Sequence, residues 1–301
     1  MSSMASAHPT PISAPGALAA ANEKFWTTSA DTVFNEPWVQ AFNTKMRAFL
    51  EKNLDWLGIV DDRTSAAEVA EKKMLDYACG DGFLTRVYHP FFTKCIGIDI
   101  AAGMVKKFNE TAAQLGLAPE KMYAVKGDLS TSAPELLKEE GVTAPDLSGD
   151  EFFNFDFAGV ALALHHMEDP QTTIVKMADR LKSGGVILVI DLLKSEGLQE
   201  SKTGEENGGH QHHPHQCDHH HGHSHGHGHD PLDIATATGH PGPAGHTISP
   251  DHASFSPEVV RNMFARAGLT DIEMIFSDWK LELLFVTDPN AKVFVARGRK
   301  P

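Results

Sequence analysis

The stretch Lys73-Met74-Leu75-Asp76-Tyr77-Ala78-Cys79-Gly80-Asp81-Gly82 decides how this chain is read. Its first half is apolar, as a buried strand is. An acid stands near the strand's end, and two glycines follow at G-x-G spacing. Glycine carries no Cβ, so a turn of this kind lets the backbone pass close to a nucleotide-like ligand. G-x-G by itself is a weak signal, and its meaning comes from what lies on either side.

Short apolar runs recur at residues 74–78, 95–100, 122–125, 155–164 and 186–193. Stretches long enough for helices separate them, for instance 102–115 and 172–181. This alternation predicts a parallel sheet covered by helices. Ser183-Gly184-Gly185 reads as a turn between a helix and a strand. Upstream, residues 36–54 read as a helix with Pro37 in its first turn and a core-facing stripe of Trp38, Phe42, Met46, Phe49 and Leu50. Phe25, Trp26 and Phe34 precede it in a less regular segment, placed to fold over a cleft. Downstream, Ser256 caps a helix that starts at Pro257 and ends at Gly268. Val259, Val260, Met263, Phe264 and Ala267 supply its apolar face. Strands are expected at 272–276, 281–286 and 293–296.

Two further acids stand in the same relation to their strands as Asp76. Asp99 follows Asp76 by 23 residues, in Gly97-Ile98-Asp99-Ile100. A carboxylate there can accept hydrogen bonds from both hydroxyls of a ribose. Asp128 follows a third strand in Val125-Lys126-Gly127-Asp128-Leu129, where an acid can accept from an exocyclic amine such as that of adenine. Three strand ends thus offer ligands along one crevice, the place where α/β sheets bind small molecules.

Taken together, these pieces resemble a class I S-adenosylmethionine-dependent methyltransferase. The matching segments are D-Y-A-C-G-D-G at 76–82, G-I-D-I at 97–100 and G-D-L at 127–129. F-D-F-A-G-V-A-L-A-L-H-H-M-E-D-P at 155–170 and L-K-S-G-G at 181–185 complete the set. The likeness is to the small stand-alone methyltransferases, fungal-like ones among them, whose fourth strand is followed by a His-His pair. It implies a Rossmann-like α/β fold, a mostly parallel seven-stranded sheet with helices on both faces, and S-adenosyl-L-methionine as cofactor. It also implies roles. Ala78, Gly80 and Gly82 let the backbone approach the cofactor, and Asp76 lies near its amino-acid end. Asp99 and Ile100 bind the ribose region, Asp128 and Leu129 frame the adenine, and Val160 and Ala161 line the methyl-transfer cleft. A dinucleotide-binding oxidoreductase is the competing reading of the glycine turn. It carries a third glycine where this chain has Thr85, and no dehydrogenase-like catalytic set accompanies it.

A sulfonium methyl is already activated, so alignment and exclusion of water are the main requirements. A general base is needed when the acceptor must lose a proton, and His165 and His166 are the candidates. No N-P-P-Y-type motif and no Pro-Cys nucleophile follows the fourth strand, which disfavours base amino-methylation and cytosine carbon-5 methylation. The net charge of −14 argues against nucleic acid and anionic membrane as partners. A small molecule is the expected acceptor. A protein, such as a basic histone tail, comes second, because some fungal regulatory methyltransferases of this architecture act within complexes. A non-catalytic scaffold is the reading from a different class.

At 41% hydrophobic residues the chain can build a real core, and no stretch of about 18 apolar residues is long enough for a spanning helix. Residues 1–21 are Ser/Ala/Pro-rich, without Lys or Arg, and are expected to be a disordered tail lacking the pattern of a signal peptide. The expected location is the cytoplasm, with the nucleus as a second compartment. Three cysteines do not make a disulfide framework and read as reduced thiols. Residues 22–193 and 253–301 are expected to form one domain, interrupted at 194–252 by a disordered insertion. That insertion is poor in large apolar residues and holds 14 of the 18 histidines. The densest run, between His210 and His229 with Cys217 and Asp218, suits zinc, nickel or copper. Its repetitive spacing is not that of a specific four-ligand site.

Overall fold

The computed structural model describes residues 16–59, 71–130, 145–194, 247–249, 251–279, 281 and 291–301. Seven strands form one sheet: β1 (Lys73–Tyr77), β2 (Lys94–Asp99), β3 (Met122–Lys126), β4 (Phe155–Ala161), β5 (Leu181–Leu192), β6 (Thr270–Phe276) and β7 (Val293–Arg299). Their order across the sheet is β3-β2-β1-β4-β5-β7-β6. The first five strands pair in parallel, and β7 runs antiparallel to both β5 and β6. This is the Rossmann-like, mostly parallel seven-stranded sheet that the family resemblance implies. From β1 the chain winds outward to β2 and β3 on one side and then to β4 and β5 on the other. The crevice at the C-terminal ends of β1 and β4 is therefore a topological switch point.

The helices are α1 (Ala17–Ser29), α2 (Pro37–Lys52), α3 (Leu54–Leu57), α4 (Phe83–Tyr88), α5 (Ala102–Gln114), α6 (Pro170–Arg180) and α7 (Pro257–Arg266). They cover both faces because strand side chains alternate. Met74, Cys95, Phe157 and Leu188 pack on one face with Phe42, Met46 and Phe108. Leu75, Ile96, Ala158 and Ile187 pack on the other with Ile174, Met177 and Phe264. The stripe expected on α2 is there, with Phe42, Met46 and Leu50 buried and Trp38 and Phe49 half-buried against them. The Ser256 side chain accepts from the Val259 amide, with Pro257 in the first turn of α7.

Several expectations are corrected. The tail expected over 1–21 is too long, because α1 begins at Ala17. Its first-turn amides are satisfied from a distance: the Glu168 carboxylate accepts from Gly16 N at 3.0 Å and from Leu18 N at 2.9 Å. Local composition does not show that partner. The insertion expected over 194–252 is too long at its far end, because Thr247, Ile248 and Ser249 are buried. Val259 is 46% exposed, one position off the buried stripe of Val260, Met263 and Phe264. Ser183-Gly184-Gly185 lies inside β5, not in a separate turn. The pairing with β4 slips there, and Gly184 takes φ +78° while its amide reaches Lys300 O. The histidine run between His210 and His229 and most of the strand expected at 281–286 lie outside the described residues. No described helix is long and apolar enough to cross a membrane.

Gly103, in the first turn of α5, lets α1 lie directly on that helix, since a Cβ there would stand 2.4 Å from Thr27 O. Backbone cannot yield as a flexible side chain can. Gly103→Ala is expected to lift α1 while leaving the sheet folded. Limited trypsin digestion checks this: Lys24, on α1, should become a cleavage site in the variant while the melting transition stays cooperative.

Candidate active site

A cavity of about 920 Å³ opens over the C-terminal ends of β1, β2 and β4. Its floor is the turn after β1. Ala78 and Gly80 both have positive φ, 51° and 52°, so the chain reverses tightly. A Cβ on Gly80 would also stand 3.3 Å from the Phe34 ring, which leans over the turn. Asp99 ties this turn to the second strand. Its Oδ2 accepts from Gly80 N at 2.9 Å and its Oδ1 from Ala101 N at 2.9 Å. Each oxygen keeps a lone pair. Burial raises the Asp99 pKa to about 6.

Asp76 is buried deeper. Thr85 donates to its Oδ2 twice, from the backbone at 3.1 Å and from the hydroxyl at 2.8 Å. The residue in the third-glycine place of a dinucleotide fingerprint is thus a clamp on the first acid. Burial still wins over these two bonds and lifts the Asp76 pKa to about 7. Asp128 is held through one oxygen. Its Oδ1 accepts from Tyr77 Oη at 2.8 Å, Ser130 N at 2.8 Å and Ser130 Oγ at 2.7 Å. The Tyr77 hydroxyl also accepts from Leu129 N at 3.2 Å. Burial and the neighbouring Asp128 charge push the phenol far above its usual range, so it stays a donor. Burial likewise keeps the Cys79 thiol protonated, which removes it as a nucleophile.

The histidine pair divides. His165 Nδ1 lies 2.6 Å from Asp191 Oδ1, and Asp191 Oδ2 accepts the His165 backbone N–H at 3.2 Å. His166 Nδ1 lies 2.7 Å from Thr247 O. A carboxylate and a carbonyl only accept, so both Nδ1 atoms carry the proton. The His166 ring stands edge-on to Trp26 at 5.4 Å. Asn22 Nδ2 donates to His166 O at 3.1 Å and to Thr247 O at 2.9 Å, while its Oδ1 accepts from Trp26 Nε1 at 3.1 Å. At the other end of the crevice Glu23 on α1 meets the buried Lys126 at 2.6 Å. Helix α1 therefore lies over the cavity, tied at its first turn by Glu168 and at its middle by Asn22 and Glu23. Phe25 and Trp26, which lie on the regular helix α1 and not in the less regular segment expected, line the cavity together with Phe34.

Nine of the twelve residues singled out in the sequence reach the cavity wall: Asp76, Ala78, Gly80, Asp99, Ile100, Asp128, Ala161, His165 and His166. Gly82, Leu129 and Val160 are not among the lining residues. Gly82 is pressed against Phe108, where a Cβ would come to 3.1 Å. Leu129 and Val160 are buried in the core on the other face of the sheet. In a strand, neighbours point to opposite sides, so Ala161 faces the cavity and Val160 cannot. Sequence reasoning missed Tyr77, Thr85, Glu168 and Asp191. Asp191 had a signal: it is an acid near the end of the fifth strand, placed as Asp99 is on the second. Among the described residues no group of three metal-ligating side chains converges.

A family model for a methyltransferase domain matches residues 42–273. The chain belongs to this methyltransferase family. Its cofactor is S-adenosylmethionine. An uncharacterized methyltransferase of Schizosaccharomyces pombe is 26% identical over 220 residues, which cover 71% of this chain and 60% of that relative's length. Among solved structures, a possible histamine N-methyltransferase of Thermotoga maritima has a TM-score of 0.50 at 14% identity, covering 92% of this chain and 99% of that one. The phosphoethanolamine N-methyltransferase 2 of Haemonchus contortus, in complex with S-adenosylmethionine, has a TM-score of 0.50 at 12% identity, covering 92% and 60%. At these identities the two structures bear on the fold.

The residues present fit that cofactor. Asp99 keeps an open lone pair on each oxygen, and Asp128 Oδ2 and Asp76 Oδ1 are not occupied by the bonds that orient them. Asp76 and Asp99 set a pH signature. Their folded pKa values, about 7 for Asp76 and about 6 for Asp99, lie above the ordinary 3.8. Between those limits the folded state binds more protons than the unfolded state, so stability falls as pH rises through that window. Asp76→Asn is expected to raise the melting temperature at neutral pH and to flatten this dependence, measured by thermal melts across the window. Tyr77→Phe leaves the Leu129 amide without its partner and should cost about 1–3 kcal/mol in chemical denaturation.

Proposed function

We propose that this protein is an S-adenosylmethionine-dependent methyltransferase acting on an O, N or S nucleophile of a small molecule. The observation that carries this reading is the convergence of Asp76, Asp99 and Asp128, each held by hydrogen bonds that leave acceptor capacity, around one glycine turn at the sheet's switch point. In this reading Asp99 accepts from the ribose hydroxyls and Asp128 Oδ2 from the adenine amine. Asp76 faces the amino-acid end, and the positive-φ turn at Ala78 and Gly80 lets the backbone come close. Ile100 lies beside the adenosine, and Ala161 borders the reacting centre. The cofactor supplies a methyl group activated on a sulfonium; the chain's own residues bind, align and exclude water.

The roof favours a small acceptor over a protein segment. Helix α1 spans the crevice and is fastened by Glu23 to Lys126 and by Asn22 to the chain around His166 and Thr247. A volume of about 920 Å³ stands near the upper end for small-molecule sites, enough for two ligands side by side.

Calorimetry with S-adenosylmethionine tests the reading. Asp99→Ala should weaken binding at least tenfold, since a charged acceptor facing two hydroxyls is lost. Absence of binding by well-folded wild-type protein sinks the enzyme reading in favour of a scaffold. Incubation of cell extract with methyl-labelled cofactor then identifies the acceptor class: label should enter the small-molecule fraction, and label confined to protein overturns the small-molecule assignment.

A further inference from the structure

Asp191 has no role in the reading above, yet it is a completely buried carboxylate at the edge of the site. Every contact it makes bears on His165 or on its own strand. Oδ1 takes the His165 ring N–H at 2.6 Å and the Leu192 N–H at 2.7 Å, and Oδ2 takes the His165 backbone N–H at 3.2 Å. A bidentate hold on both the ring and the main chain of one histidine fixes its tautomer and its plane. The proton sits on Nδ1, so the Nε2 lone pair is the ring's remaining polar feature. His165 lines the cavity. Its carbonyl is pinned as well, by Ser249 N at 2.9 Å. Around the pair, the packed elements bring little competing charge. His166 lies beside it at 4.2 Å between ring centroids, with its Nδ1 committed to Thr247 O. The segment 247–249 and the neighbouring Asn22 and Trp26 of α1 are uncharged.

The rest of the acceptor side is planar and apolar. Phe25, Trp26, Trp38 and Phe42, with the aliphatic Ile248 beside them, line it. The carboxylates nearby are already engaged. Glu168 holds the first-turn amides of α1, and Asp169 caps α6 by accepting from Thr172 N at 2.9 Å. Glu36 is exposed at the rim. Among the described residues the inner carboxylates of this half, Glu168 and Asp169, are oriented toward backbone amides, and a flat aromatic ring fits the walls.

We infer that His165 is the general base of this methyltransferase, that Asp191 is its positioning residue, and that the acceptor is an aromatic hydroxyl. The inference rests on the methyltransferase reading above. The step balances. The phenol O–H bond breaks and its proton passes to His165 Nε2. An oxygen lone pair forms the new O–CH3 bond as the S–CH3 bond breaks, its electron pair staying on sulfur. The products are an aryl methyl ether, a neutral thioether and an imidazolium facing the Asp191 carboxylate, which then releases its proton to water. A phenol, with a pKa of about 10, lies far closer to an imidazole in basicity than an alkyl alcohol does, and together with the aromatic walls this selects the aromatic class.

The test uses the full chain with S-adenosylhomocysteine bound and para-nitrophenol as probe, buffered below the probe's own pKa so that free probe is colourless. Wild-type protein is expected to bind it and to develop the visible phenolate band. His165→Gln should retain binding within about threefold and lose the band. Asp191→Asn, which keeps one oxygen for the His165 ring and Leu192 N–H groups but removes the charge and the acceptor of the His165 main-chain N–H, should weaken the band and shift its appearance to higher pH while the melting transition persists. If Asp191→Asn fails to fold, His165→Gln alone decides the base. A band unchanged in His165→Gln overturns the base assignment. Failure of wild-type to bind the probe, or tighter binding of phenethylammonium, overturns the acceptor class. Binding of S-adenosylmethionine, measured on the same preparation, separates these outcomes from failure of the methyltransferase reading.

Discussion

One carboxylate joins the two halves of the cofactor crevice. Asp99 stands at the end of the second strand and holds an amide from the glycine turn on one oxygen and an amide from the start of the next helix on the other. Neither loop has a regular ladder of its own at that point, so Asp99 supplies the partner that buried backbone needs. The arrangement is costly for the free protein, because a buried acid resists ionisation. It leaves the acid's remaining lone pairs oriented before any ligand arrives, so little reorganisation is left for binding. Asp76 and Asp128 repeat the device with Thr85, Tyr77 and Ser130 as donors. Stability is given up at the place where function needs fixed acceptors.

The second feature is the way α1 is fastened. It has no capping side chain of its own. Its N-terminal amides are taken by Glu168, its middle by Asn22 reaching the chain near the histidine pair, and its charge by Lys126 at the end of β3. Each tie lands on a loop that carries a site residue: His166 beside Glu168, and Asp128 two positions after Lys126. The roof of the cavity and its reactive wall are therefore one connected structure. A change in either reaches the other through a few hydrogen bonds. The ties at Asn22 and Lys126 are buried, whereas those from Glu168 to the first turn are exposed.

The paired histidines show how neighbours of the same type diverge. Both donate from Nδ1, but one donates to a buried charge and the other to a neutral carbonyl. The ring facing Asp191 gains an electrostatic partner for its protonated state; the ring facing Thr247 gains a fixed orientation against Trp26. Sequence treats them as equivalent. The difference arises from β5 and from the segment that returns at 247, which are far from His165 and His166 along the chain.

Much of this molecule was legible in the order of its residues. Apolar runs spaced by helical stretches, a glycine turn after the first strand and acids at the ends of the next two are local patterns. Local physics — backbone freedom at glycine, strand alternation, helix capping — turns them into a parallel sheet with a crevice in a known place. The positions of Asp76, Asp99 and Asp128 followed from that alone. What a side chain faces was decided by tertiary structure. Strand parity put Ala161 on the cavity and Val160 in the opposite core, and packing turned Gly82 toward Phe108. Helix α1 exists inside an apparently tail-like segment because Glu168, about 150 residues away, satisfies its first turn. Asp191 became the partner of His165 only once β5 lay beside β4. These contacts join residues remote in the chain, and no periodicity in a single sequence encodes which remote groups will meet.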